Sequence, residues 1–165
     1  MDENKVCITL NKLMNIEFRA HHYYLQAAAW AASHNLDGCY EFLLGHSQEE
    51  FSHMMRVFNH LVDLGEHAVF SDLPKPEIAA ESIENLFSLV YQHEIDVTNA
   101  YDKAIEEASS TGNNQMFCFL QWFINEQREE LNLCRHILDK IKLIGSGPHS
   151  LYLIDKEISK ITRKS

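Results

Sequence analysis

"EEFSHM" at residues 49–54 sits in the middle of a helical stripe, and its reading decides how the chain folds. Leu43, His46, Glu50, His53, Met54, Val57, Leu61 and Leu64 recur at steps of three and four, the spacing of one helical face. Such a face is buried against neighbouring helices. Here its centre holds a carboxylate and an imidazole. A buried carboxylate with no partner is costly enough to take up a proton instead.

The same pattern recurs along the chain. A first helix, expected over about residues 5–33, lines up Leu10, Leu13, Glu17, Tyr24 and Ala28. The "EEFSHM" helix is the second, about 39–64. A third, about 83–109, lines up Leu86, Val90, Glu94, Val97, Tyr101 and Ala108. A fourth, about 114–143, lines up Phe117, Leu120, Ile124, Gln127, Leu131, Cys134, Leu138 and Ile141, with Glu130 one turn from Gln127. Every stripe carries a polar group at its middle. Glu17 and Glu50 are 33 residues apart, as are Glu94 and Gln127, and Tyr24 and Tyr101 each follow their glutamate by seven. Two related hairpins packed face to face would gather these groups in one layer.

The breaks between the stripes fit that arrangement. "SHNLDG" (33–38) and "STGNN" (110–114) are short links, each with Gly for a helix stop and Asp or Asn for the next N-cap, so each joins an antiparallel pair. "GEHAVFSDLPKPEIAAES" (65–82) has no helical period and is long enough to cross from one end of a bundle to the other. "GSGP" (145–148) introduces a short fifth helix, about 149–160, with Leu151, Ile154 and Ile158 on one side and a basic tail beyond it. The expected fold is all-α: a four-helix bundle with one long crossover and a short fifth C-terminal helix, in a single domain over 1–165.

Composition narrows the function. The net charge of −10, with no basic stripe, argues against nucleic acid as a partner. No apolar run approaches the roughly 20 residues of a membrane span. Cys7, Cys39, Cys118 and Cys134 show no CxxC spacing, and the start has no signal-peptide pattern, so a cytoplasmic protein with free thiols is expected.

Glu17, Glu50, Glu94 and Glu130 would need positive partners, yet the stripes carry no Lys or Arg. A pair of divalent cations supplies that charge, with His53 as a nitrogen ligand. Many carboxylates with one imidazole suit iron or manganese, whereas structural zinc favours thiolates or more imidazoles. The i, i+3 spacing of Glu50 and His53 presents both on one face, with Glu50 placed to bridge two ions.

"NIEF" around Glu17, "EEFSH" with Glu50 and His53, "HE" ending at Glu94 and "EQREE" with Gln127 and Glu130 together resemble the bacterial non-haem ferritins, over essentially the whole chain. The resemblance implies one iron held by Glu17, Glu50 and His53, and a second held by Glu50, Glu94 and Glu130 with Gln127 at its edge. It also implies a third iron site at Glu49, Glu126 and Glu129, and a role for Tyr24 beside the di-iron centre as electron donor or hydrogen-bond partner. Tyr101 reads as core, Trp122 as an aromatic neighbour, and His21, His22, His46 and His93 as structural. The haem-binding relatives carry a second Glu-x-x-His on the fourth helix and a methionine near position 52; here stand Gln127, Glu130 and Ser52, so no haem is expected, and Met54 and Met55 read as core and flank. The rubredoxin-like cysteine module of the rubrerythrins is absent.

The implied activity is that of a ferroxidase and iron store. Fe(II) is oxidised by dioxygen or peroxide, and ferric oxyhydroxide is kept in a closed 24-subunit shell with the fifth helices at its fourfold axes. The alternatives are a di-iron oxidase or peroxidase that keeps iron as a fixed cofactor, and a helical shell protein or adaptor that binds no metal.

Overall fold

In the computed structural model the described residues, 3–162, form five helices and no strand. These are α1 (Glu3–Ser33), α2 (Asp37–Asp63), α3 (Ile83–Ser110), α4 (Asn114–Ile144) and α5 (Ser150–Thr162). Residues 163–165 of the basic tail lie outside the described residues. α1 packs on α2 and α3 packs on α4, as the short links require, and α5 lies against α2 and α4. The core is split into two apolar blocks. One surrounds Tyr24, Phe42, Phe87 and Ile137 and takes in α5; the other surrounds Leu13, Leu61, Tyr101 and Phe123.

The helix boundaries have separate local causes. Ser82 caps α3 by accepting from Asn85 N at 3.1 Å, and the Asn85 side chain accepts from Glu81 N at 3.1 Å in return. Asn113 caps α4 by accepting from Met116 N at 3.0 Å, after Gly112 has turned the chain at φ 67°. The first link behaves differently from expectation. Gly38 is inside α2, Asn35 makes the left-handed turn at φ 56°, and Asp37 caps nothing. The α2 amides are capped from α5 instead: Gly38 N and Cys39 N donate to the two carboxylate oxygens of Asp155 at 3.0 and 2.8 Å.

The crossover is stitched along α1. Asn11 donates to His67 O and accepts from Val69 N; Asn15, one turn on, donates to Val69 O and accepts from Ser71 N. Farther up the same helix, Trp30 Nε1 donates to Ala80 O at 3.0 Å. Two asparagines thereby satisfy backbone groups that a non-helical segment would otherwise leave unpaired.

Two stripes differ from the sequence reading. On α4 the buried positions are Met116, Leu120, Phe123, Gln127, Glu130, Cys134, Ile137 and Ile141, alternating steps of four and three. Phe117, Ile124, Leu131 and Leu138 recur every seven residues beside that seam and are half-buried on its rim. On α5, Ile154 and Ile158 are buried, but Leu151 is 57% exposed because α5 meets the bundle only past its first turn.

Gly38 is the point where α5 touches α2. A Cβ there would lie 2.3 Å from the backbone oxygen of Asp155 and 2.9 Å from Ser159 Cβ, neither of which is a flexible chain end. Gly38→Ala should push α5 off α2 and lower stability by about 1–3 kcal/mol, read by thermal unfolding. Asp155→Ala, which removes the cap alone, should cost about 1 kcal/mol.

Candidate metal centre

Between the two apolar blocks lies a layer of polar side chains. Glu17, Glu50, Glu94 and Gln127 are at most 1% exposed, His53 5% and Glu130 6%. They come from all four long helices, each at the mid-stripe position that its periodicity places inward. Among the described residues every ion pair of a lysine lies at the surface, on Glu107 or Glu157, and none brings a Lys or Arg into the layer.

Glu17, Glu50 and His53 form one compact group with ligand atoms within 4.8 Å of one another. His53 Nδ1 is 3.4 Å from Glu50 Oε2 and 3.9 Å from Glu17 Oε2. Glu17 Oε2, both oxygens of Glu50 and His53 Nδ1 are buried without a hydrogen-bond partner. Orphaned donor atoms converging on one point, three of them carboxylate oxygens, fit a hard divalent cation.

Glu94 is arranged differently. Its Oε1 accepts from the Tyr24 hydroxyl at 2.7 Å and its Oε2 from Gln127 Nε2 at 3.0 Å. Glu130 is turned to His46, its Oε2 3.2 Å from His46 Nε2, while His46 Nδ1 is 3.7 Å from Glu49. His46, Glu49 and Glu130 are the second compact group of potential ligands. Glu129 is exposed and Glu126 half-buried; neither belongs to a compact group, although both lie on the same flank as Glu49.

The electrostatics follow from burial and crowding. Burial and then the neighbouring Glu50 raise the Glu17 carboxyl well above its ordinary value; burial and then Glu94 do the same to Glu50. Burial also raises Glu94, to about 7, against the opposing hydrogen bond from Tyr24. Burial disfavours charge on His46, but Glu130 and Glu49 outweigh it and raise the imidazole.

Two members of the layer were not marked as such in the sequence. His46 stands one turn before Glu50, and its place on the stripe was the available signal. Tyr101 is fully buried, and its hydroxyl donates to Glu17 Oε1. The signal for Tyr101 was its seven-residue offset from Glu94, equal to that of Tyr24 from Glu17. His21 is structural, bonded to Ser47 O at 2.8 Å, and His93 stacks on Tyr23 at 4.3 Å.

Comparison with known proteins agrees with this architecture. The ferritin-like domain matches residues 8–144. The bacterial non-heme ferritin of Escherichia coli O157:H7 is 36% identical over 152 residues, covering 92% of each chain. That of Campylobacter jejuni is 34% identical over 161 residues, covering 98% of this chain and 96% of its own. The open pore ferritin of Archaeoglobus fulgidus superposes with a TM-score of 0.92 at 30% identity, over 96% of this chain and 98% of that one.

The raised carboxyls carry a pH signature. A carboxyl whose folded value is raised contributes stability that is fully present below its ordinary value of 4.5 and is lost as pH rises toward the folded value. Metal-free Glu50→Gln should therefore match wild type in stability near pH 4 and become the more stable of the two as pH rises above about 4.5. Denaturant unfolding of both proteins across pH 4–8 in a chelator measures the difference. Equal stabilities throughout would mean that Glu50 is not under strain.

Proposed function

The chain belongs to the ferritin family, and from that premise we propose that it is a ferroxidase and iron-storage protein of the cytoplasm, with iron as its substrate and cargo. The observation that carries this reading is the group of unpartnered donor atoms on Glu17, Glu50 and His53, sealed between apolar blocks and, among the described residues, with no Lys or Arg ion-paired to it. Folding such carboxylates together is unfavourable unless something of opposite charge is to be bound there.

The first Fe(II) enters the Glu17, Glu50 and His53 group, where little rearrangement is needed. Glu50 then bridges to a second Fe(II) held by Glu94 and Glu130. Glu130 must leave His46 for this. A turn of the Gln127 amide would withdraw its Nε2 from Glu94 and bring forward Oε1, which has no partner. Each Fe(II) gives one electron, so the pair reduces dioxygen to peroxide or peroxide to water, with protons taken from solvent. The ferric product is held by hard oxygen ligands. Glu49, Glu126 and Glu129 form the flank over which a third ion is handled, and His46 lies between that flank and the centre. Tyr24 holds Glu94 in place and is near enough to supply an electron.

Storage needs a container, which one bundle cannot be. We assign it to a closed shell of 24 copies. Leu143, Leu151, Tyr152 and Leu153 are 49–81% exposed at the junction of α4 and α5, and they form the apolar surface for that assembly. Among the described residues no helix is long and apolar enough to cross a membrane.

Iron loading separates this reading from a di-iron oxidase: many atoms per subunit against about two. Glu50→Ala should lower the rate of Fe(II) oxidation by at least about 100-fold while leaving the helices intact. Stopped-flow absorbance against circular dichroism measures both, and wild-type rates in this variant would exclude Glu50 as the bridge. Glu49, Glu126 and Glu129 changed together to Gln should alter stoichiometry and turnover but spare binding of the first two ions. Leu143, Leu151 and Leu153 changed together to Ser should leave oxidation in place but reduce assembly and soluble iron retention. Sedimentation of wild type as a monomer would overturn the storage reading.

A further inference from the structure

Tyr24 and Tyr101 form a crossed pair. Tyr24 on α1 donates to Glu94 on α3, and Tyr101 on α3 donates to Glu17 on α1. Each tyrosine lies seven residues beyond the glutamate of its own helix, about 10 Å along the axis, and so reaches the glutamate of the antiparallel neighbour instead. The two rings belong to opposite apolar blocks, Tyr24 with Phe42 and Phe87, Tyr101 with Phe123. Each hydroxyl enters the polar layer from its own side.

The Tyr101 ring is fully buried and stacks on Phe123 at 4.7 Å with an interplanar angle of 10°, so its position is set by packing. Its hydroxyl takes Oε1 of Glu17. The other oxygen, Oε2, is the one without a partner and the one directed at His53. A phenylalanine would fill the same volume but leave Glu17 free to rotate about its last bond and offer either oxygen, or both.

We propose that Tyr101 is a positioning residue of the first-ion site: its hydroxyl holds Glu17 so that Oε2 alone faces Glu50 and His53. The inference rests on the metal-centre reading above and adds a second hydroxyl-held carboxylate to it. Tyr101 acts through Glu17 and touches no ion itself. In its absence Glu17 must be reoriented before it can bind, and the first ion is held more weakly.

The test uses Co(II), which binds such sites and reports its ligand geometry in visible absorption. The metal-free full-length protein, Tyr101→Phe, Glu17→Gln and the double variant are titrated by calorimetry and by absorption, with helicity checked by circular dichroism. Tyr101→Phe should stay fully helical, bind the first Co(II) about ten-fold more weakly and show an altered ligand-field band. In the Glu17→Gln background the same change should cause no further loss, because the residue through which Tyr101 acts is already gone. First-ion affinity and band unchanged in Tyr101→Phe, or an equal loss in both backgrounds, would make Tyr101 a packing residue and overturn the proposal. Loss of helicity in Tyr101→Phe would do the same. Failure of the wild type to take up Co(II) would instead overturn the metal centre on which the proposal stands.

Discussion

Among the described residues, four glutamates share a buried layer with no lysine or arginine ion-paired to them, and the rest of the structure can be understood from that constraint. Burial first, and then the crowding of like charges, disfavours ionisation there, so the carboxyls of Glu17, Glu50 and Glu94 are raised. The fold tolerates this because each side of the layer is closed by a well-packed apolar block. The protein is thus held together by its blocks, and the metal centre proposed above would exchange protons for cations at its middle.

Two tethers outside the layer keep those blocks in register. Asn11 and Asn15 bind the crossover to α1, which connects the hairpins without an element of regular structure. Asp155 ties α5 to the start of α2, where no local side chain serves as cap. α5 is therefore part of the bundle by its buried face, Ile154 and Ile158, and available to other copies by its exposed one, Leu151 to Leu153. A short helix that would be unstable alone gains its order from the first contact, and the shell proposed above would draw on the second.

The two halves of the layer are related but unequal. Crossed tyrosine–glutamate bonds follow the hairpin repeat, yet Glu17 keeps an oxygen free while Glu94 has both engaged. The difference comes from α2 and α4. α2 supplies Glu50 and His53, whose unpartnered atoms converge on Glu17; α4 supplies Gln127, whose amide donates to Glu94. On the function proposed above, this inequality would set an order of filling, with the preassembled half first.

The sequence by itself determined the bundle and most of its polar layer. Helical periodicity is a local property, and a polar residue at the centre of an apolar stripe is visible without any coordinates; Glu17, Glu50, His53, Glu94, Gln127 and Glu130 were legible for that reason. Tertiary structure decided what depends on the approach of distant segments. Phe123 and Ile137 face inward while Ile124 and Leu138 sit on the rim, because the rotation of α4 is set by its neighbours and both sets are apolar. The α2 cap comes from Asp155, more than a hundred residues away in the chain. The hydroxyl of Tyr101 finds Glu17 rather than another core atom only because α1 and α3 run antiparallel at that depth. A side chain's type and period travel with the sequence, whereas its partner is settled by which helix faces it.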